Sequence, residues 1–227
     1  MKALVLFSGG IDSTTALGLA IKKYGKDQVI ALSVSYGQKH DKEIQAAIAV
    51  AEYYGVEHLF LDLRKIFTYS NCSLLKQSTE KIPEESYAKQ ISKTNGETPV
   101  STYVPFRNGL FLSSAASIAL SKDCEVIYYG AHADDSAGFA YPDCSPVFNQ
   151  AMNEAIWEGS GHQLKIEAPF VNVSKAEVVR IGLELGVPYE LTWSCYEGGE
   201  KPCGKCGTCI DRAVAFQANH VEDPALR

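Results

Sequence analysis

An apolar run at residues 3–7, Ala-Leu-Val-Leu-Phe, passes without a spacer into Ser8-Gly9-Gly10-Ile11-Asp12-Ser13-Thr14. Residues 12–24 then carry Ala16, Leu17, Ala20 and Ile21 at helical spacing and stop before Gly25. A short, wholly apolar strand that feeds a helix through a tight turn is the opening unit of a parallel sheet buried on both faces. Two glycines let the backbone turn sharply, and the N–H groups at a helix start have no partner within the helix, so such a turn can cradle an anion. Ser8, Ser13 and Thr14 add hydroxyl donors, and Asp12 suits either Mg2+ or a helix cap. The loop contains no lysine, which separates it from Gly-x-x-x-x-Gly-Lys-Ser/Thr, and its spacing is not Gly-x-Gly-x-x-Gly. Without a ligand it reads as a capped strand-to-helix turn.

The same alternation continues. Residues 29–36 and 58–63 are β-rich, and between them residues 43–54 place Ile44, Ala47, Ile48 and Ala51 on one helical face before Gly55. Three strand units joined by helices within 63 residues predict an α/β fold: an open, mostly parallel twisted sheet with helices on both faces. Residues 64–104 are polar and lack periodicity, as lids, substrate loops or disordered segments do. A helix at 107–121, a fourth strand at 126–130, an irregular loop at 131–146 and helices at 147–158 and 174–185 complete the pattern. Ser174 with Glu177 forms a capping-box signature. Ligands of open α/β sheets gather outside the carboxyl ends of the strands, where both irregular segments begin. We expect a main domain at 1–190 and a small appendage at 191–227.

Seven cysteines are an odd number, and Cys195, Cys203, Cys206 and Cys209 are crowded together. That distribution is unlike a secreted disulfide framework and reads as a metal site in a cytosolic chain. Four thiolates form a closed tetrahedral set for Zn2+ with a structural role, and Gly204 and Gly207 permit the turns. An iron–sulfur cluster takes the same ligands. The formal net charge is −6, with no run of five like charges, which argues against an electrostatic grip on duplex nucleic acid. No apolar stretch reaches the length of a membrane span. A nucleotide or base remains an admissible ligand.

Ser-Gly-Gly-x-Asp-Ser after a first strand resembles the PP-loop family of N-type ATP pyrophosphatases, with the adenine nucleotide alpha hydrolase-like fold. The resemblance implies cleavage of ATP between the α and β phosphates, with an ATP segment over Phe7, Ser8, Gly9, Gly10, Ile11, Asp12, Ser13, Thr14, Thr15, Ala16 and Leu17. Lys175-Ala176-Glu177-Val178 matches that family's later Lys-x-Glu-Val segment, whose lysine reaches the phosphates; its reading without ligand is a solvated first-turn residue. Tyr36-Gly37-Gln38-Lys39-His40, Val104-Pro105-Phe106-Arg107-Asn108, Tyr141-Pro142-Asp143-Cys144 and Leu191-Thr192-Trp193-Ser194-Cys195-Tyr196 occur in order. This ordered set resembles the 7-cyano-7-deazaguanine synthase family of queuosine biosynthesis over essentially the whole chain.

That resemblance implies a cytoplasmic homodimer using ATP, Mg2+ and Zn2+ to join 7-carboxy-7-deazaguanine and ammonia, through an adenylated carboxylate and an activated amide, into a nitrile. It implies catalytic roles for Asp12, Lys175 and Arg107, a substrate pocket of Gln38, His40, Arg107, Asn108 and Asp143, and a zinc site of Cys195, Cys203, Cys206 and Cys209. A surface salt bridge for Arg107, a loop turn for Asp143 and a structural imidazole for His40 are the plainer readings. The chain departs from the family's Val-Pro-Gly-Arg-Asn by carrying Phe106, and its 131–140 loop is also unlike the common version; both fall where the base is expected. Two other readings stay open: a PP-loop enzyme transferring sulfur to tRNA, and a nucleotide-binding regulator without turnover.

Overall fold

The computed structural model describes residues 1–95 and 97–226. Its centre is a sheet of five parallel strands, β1 (Ala3–Leu6), β2 (Val29–Ser35), β3 (Glu57–Asp62), β4 (Val126–Tyr128) and β5 (Lys165–Glu167), in the order β3-β2-β1-β4-β5. Ala3 pairs in register with Val29 on one side and Val126 on the other. Strand side chains alternate between faces, so β1 splits its load. Ala3 and Val5 join a core with α1 (Ile11–Tyr24), α2 (Lys42–Tyr54), α7 (Lys175–Leu185) and α8 (Gly207–Ala218), while Leu4 and Leu6 join a second core with α4 (Arg107–Ser121) and α6 (Pro146–Gly159). The two cores lie on opposite faces, and the expected α/β architecture is the observed one. The order reverses at β1, the chain returning from β3 on one side to β4 on the other, so a crevice opens between the carboxyl ends of β1 and β4.

Helix ends follow local chemistry. Gly25 and Gly55 stop α1 and α2, Gly55 in the left-handed conformation. Ser145 and Ser174 cap α6 and α7 through their hydroxyls. The reciprocal half of the Ser174 box is replaced: Glu177 turns to Arg180, whose Nε lies 2.8 Å from its carboxylate. The face that α2 buries is Ala46, Ala47, Val50 and Ala51, with Ile48 left 39% exposed, a rotation of about one position from the sequence reading. The alanines win because α2 lies against the glycine loop, where bulkier side chains have no room.

The described residues of 64–104 are folded, and α3 (Tyr87–Thr94) is part of that segment. Phe67, Leu74, Leu75, Ile82 and Val104 form a third small core with Tyr36, Cys195, Cys206 and Cys209. The Tyr87 hydroxyl lies 2.8 Å from that of Tyr196. The 131–146 loop holds one short helix, α5 (Ala133–Ser136), and two 3-10 turns. The C-terminal segment is tied in by buried bonds: Arg212 Nε donates to Asp223 Oδ2 at 2.5 Å, and its Nη2 donates to the Tyr189 carbonyl at 3.2 Å. Tyr189 is buried against Phe216, and its hydroxyl meets Thr15 Oγ1 at 2.7 Å.

Candidate active site

One cavity opens at the carboxyl ends of β1, β2 and β4. Its floor is Leu6, Phe7, Leu32 and Ser33, continuing into Gly130 and Ala131. Helices from both sheet faces reach over it: α7 delivers Lys175 from one side and α4 delivers Arg107 from the other.

The loop after β1 forms the first half of the site. The Ser8 N–H donates to Ser13 Oγ at 3.2 Å, Ser8 Oγ lies 3.1 Å from Ser13 Oγ, and the Gly10 N–H donates to Ser8 Oγ at 3.3 Å. Gly9 is left-handed, at φ +78, and is pressed so closely on α2 that an added Cβ would lie 2.4 Å from the Ala47 nitrogen. Lys175 Nζ donates to Asp12 Oδ2 at 2.9 Å. His132, 1% exposed, places Nε2 3.4 Å from that ammonium and 3.4 Å from Asp135 Oδ1. Burial alone would raise the Asp12 carboxyl, but Lys175 and then His132 outweigh it and hold its pKa below the ordinary value. Burial works against the charge on Lys175 too, and Asp12 and Asp135 more than restore it. Asp12 Oδ1 is buried and has no hydrogen-bond partner among the described residues.

Arg107 forms the second half. Its guanidinium lies 5.1 Å from the Tyr36 ring centre and 5.9 Å from that of Phe111, and Nη1 donates to the Tyr36 hydroxyl at 3.3 Å. Among the described residues no carboxylate lies within ion-pair distance of it. Glu43, from the first turn of α2, lines the same space; burial pushes its pKa up to about 7, with Arg107 pulling the other way. Gln38 lines the cavity while its Oε1 accepts from the Tyr36 N–H at 3.0 Å. Asn108 also lines it and donates to the Asp143 carbonyl and to Cys144 Sγ. Cys144 is buried beside Tyr129, and burial raises its thiol pKa well above the usual range, which keeps it protonated and unsuited to a nucleophile.

The cavity thus gathers Phe7, Ser8, Gly10, Ile11, Asp12, Ser13, Gln38, Arg107, Asn108 and Lys175 of the expected residues. Others lie elsewhere. Gly9 packs on α2, Ala16 and Leu17 are fully buried in the core, and Thr14 and Thr15 are fully buried beneath the loop. His40 packs edge-on to Trp193, 6.4 Å away, and its Nδ1 accepts from the Lys42 N–H at 3.2 Å. Asp143 is 3% exposed and accepts from the Asn108 N–H at 2.9 Å, so it caps α4 from a distant loop. Phe106 is 57% exposed, in the left-handed region at φ +53, and its ring packs against Phe148. It points away from the cavity, so this departure from the family pattern leaves the pocket wall untouched.

Asp143→Ala is expected to destabilise the protein by about 1 kcal/mol, a drop of about 2–4 °C in Tm, with ATP affinity retained. Differential scanning fluorimetry and nucleotide titration check this. A selective loss of substrate binding at unchanged Tm would instead place Asp143 on the ligand.

Sequence reasoning missed Glu43, His132, Asp135 and Asp211. Asp211, in the second turn of α8, is pushed up to about 6 by burial, with Lys175 and then His132 opposing. A histidine and two aspartates directly after a strand end were the available signal for the 132–135 group. Glu43 gave none, because a glutamate on an amphipathic helix is ordinarily solvated.

Sγ atoms of Cys195, Cys203, Cys206 and Cys209 all lie within 4.8 Å of one another. Backbone N–H groups of Glu197 and Cys203 point at Cys195 Sγ, and those of Lys205 and Cys206 at Cys203 Sγ. Four sulfurs this close, with N–H donors turned toward them, fit a single tetrahedral ion. The knuckle reaches the cavity directly, since Trp193, Ser194, Tyr196 and Thr208 line it and the Trp193 N–H donates to the Gly9 carbonyl at 3.0 Å.

Solved structures share this architecture. An NMN synthetase from Francisella tularensis superposes with a TM-score of 0.53 at 16% identity, over 97% of this chain and 78% of that one. An NH3-dependent NAD synthetase from Campylobacter jejuni gives 0.51 at 14% identity, over 84% and 66%. With the Ser-Gly-Gly-x-Asp-Ser loop at the end of β1, this parallel sheet defines a PP-loop protein of the ATP-utilising class. The family model described as "Queuosine biosynthesis protein QueC" matches residues 2–220. The 7-cyano-7-deazaguanine synthase of Archaeoglobus fulgidus is 43% identical over all of this chain and 90% of its own length. That of Caldicellulosiruptor saccharolyticus is 42% identical over 99% and 94%. The chain belongs to the QueC family. No helix among the described residues is long and apolar enough to cross a membrane.

Proposed function

We propose that this protein is an ATP-dependent ligase that converts 7-carboxy-7-deazaguanine and ammonia to 7-cyano-7-deazaguanine. The observation that carries the reading is the pairing, in one cavity, of a glycine loop with a lysine and of a second cation, Arg107, that has no carboxylate partner among the described residues. The first pair suits a triphosphate. The second is a planar fork for a substrate carboxylate or the α-phosphate joined to it. The 40% range of identity to named synthases over full length supports the same substrate.

In this reading the N–H groups at the start of α1, Ser8 and Ser13 hold the leaving pyrophosphate, and Lys175 moves from Asp12 onto it as charge develops there. Arg107 presents the carboxylate oxygen to the α-phosphorus. Ammonia displaces AMP to give the amide, and activation of the amide oxygen in a second round permits loss to the nitrile. Asp12, with Oδ1 unpartnered, is the residue suited to hold Mg2+, which would neutralise phosphate charge. The four cysteines would hold Zn2+ structurally. Tyr36, Phe111 and Tyr196 offer ring faces to a flat base. A homodimer is part of the proposal.

Purified protein incubated with Mg-ATP, ammonium and 7-carboxy-7-deazaguanine is expected to yield nitrile, AMP and pyrophosphate by mass spectrometry. Accumulated amide would confine the activity to the first activation. ATP binding without AMP formation would refute the synthase and leave a nucleotide-binding regulator.

A further inference from the structure

Glu43 is a carboxylate placed where neither of the expected anions profits from it. Its main-chain carbonyl is packed on the phosphate loop: a Cβ at Gly9 would lie 2.8 Å from it. From there the side chain enters the cavity on the side of Arg107 and Tyr36. Among the described residues it has no ion pair and no hydrogen bond to its carboxylate. A triphosphate and a substrate carboxylate are both repelled by it. The ligand that gains is a small cation, and its position between the loop that holds phosphates and the arginine that suits a carboxylate is where the activated carbon must sit. An ammonium ion meets both requirements.

We propose that Glu43 binds ammonium and accepts its proton, releasing ammonia next to the activated carboxyl carbon. This role rests on the synthase reading above. The ammonium N–H bond breaks and its proton goes to a Glu43 carboxylate oxygen. The freed lone pair forms the C–N bond, the C–O bond to AMP breaks with its electron pair leaving on the phosphate, and the surplus proton on nitrogen passes to solvent. Glu43 then loses its own proton to solvent and is reset.

An ordinary carboxylate is too weak a base for this transfer, and burial moves Glu43 in the required direction, to about 7. The charged and titratable groups that share its cavity are Arg107 and Tyr36 at its own end, Tyr196 from the C-terminal segment, Tyr87 from α3, Tyr129, Tyr141 and Cys144 from the β4 side, and Asp12, Asp135 and Lys175 toward the loop; burial raises Tyr87, Tyr129, Tyr141 and Cys144 and keeps them neutral. Arg107 favours the ionised form, and the burial of Tyr36 and Tyr196 raises both phenols, leaving them neutral.

The test compares wild type and Glu43→Gln in two assays. The first is pyrophosphate exchange into ATP, dependent on 7-carboxy-7-deazaguanine without ammonium. The second is amide and nitrile formation with ammonium chloride varied between pH 6 and 9.5. The variant is expected to retain exchange and to lose about 100-fold in kcat/KM for ammonium, together with the limb near pH 7. Its remaining rate should track free ammonia. Unchanged ammonium kinetics with normal exchange would overturn the role of Glu43 alone. A loss that falls instead on KM for the deazaguanine would overturn it in favour of base reading. No exchange in the wild type would remove the synthase reading and this role with it. Folding is controlled by Tm. The carboxyl ionises near 4.5 unfolded and near 7 folded, so stability falls as pH rises through that window. The glutamine variant should therefore melt at or above wild type at pH 8.

Discussion

Lys175→Met is expected to lower substrate-dependent AMP formation by about 100- to 1000-fold, the range for removing one charge-stabilising donor from a transition state. The same substitution leaves Asp12 without its 2.9 Å partner in a buried corner, with only the His132 ring nearby at 3.8 Å. Breaking such a pair costs toward the lower end of about 3–5 kcal/mol. Two effects in one variant are separable. Asp12→Asn combined with Lys175→Met removes the stranded charge, so the double variant should recover most of the lost Tm and none of the activity. Recovery of activity with stability would mean that Lys175 serves only to neutralise Asp12. The pH dependence has a fixed sign. Asp12 sits below its ordinary 3.8, so the pair contributes stability above that value and loses it as pH falls through the lower folded value. The Tm gap between wild type and Lys175→Met should close in acid below about pH 4. Calorimetry from pH 3 to 7 reads this directly.

With Zn2+ held by the four cysteines as proposed above, Cys206→Ser is expected to reduce bound zinc from about one per chain to near none and to lower stability by several kcal/mol, because a structural zinc site contributes on the order of 10–16 kcal/mol of binding free energy in isolated finger peptides. Cys206 is also the N-cap residue of α8, and Thr208 Oγ1 donates to the Ser194 carbonyl at 2.6 Å. Loss of the ion therefore loosens Ser194, Tyr196 and Thr208 at the cavity wall, and ATP affinity should fall with zinc content. Cys124, on the far side of the sheet beside α4, is the control, and its serine variant should keep the metal. Metal analysis, calorimetry and nucleotide titration on the same samples test the coupling. Zinc lost with Tm and ATP affinity intact would refute it.

The legible parts of this fold were those whose signals are local. The β1 turn, the Gly55 stop and the 107–121 helix need only glycines and a 3.6-residue period. β5 escaped because Lys165-Ile166-Glu167 has a single apolar residue and becomes a strand only by pairing with β4. α8 escaped because its start is also the cysteine knuckle, and the two patterns overlap. In the site, Asp143 looked like a pocket residue because Tyr-Pro-Asp-Cys does not say whether its carboxylate faces a ligand or caps a helix 35 residues away. The 64–104 segment lacks periodicity because it packs irregular backbone on the cysteines and Tyr36, without a sheet to impose a repeat.

The phosphate loop directly follows β1, yet its partners lie far along the sequence. Lys175 is 163 residues beyond Asp12, and Tyr189 is 174 beyond Thr15. Trp193, which takes the Gly9 carbonyl, emerges later still. Contacts of this sequence separation close last. A nascent chain at residue 170 thus carries the apolar strand and the glycine turn without the lysine that pairs with Asp12 and without Tyr189 and Trp193, which tie the loop in place. A chain that stops short of Lys175 therefore has the glycine loop without its lysine, so the cradle is completed only by contacts of long sequence separation.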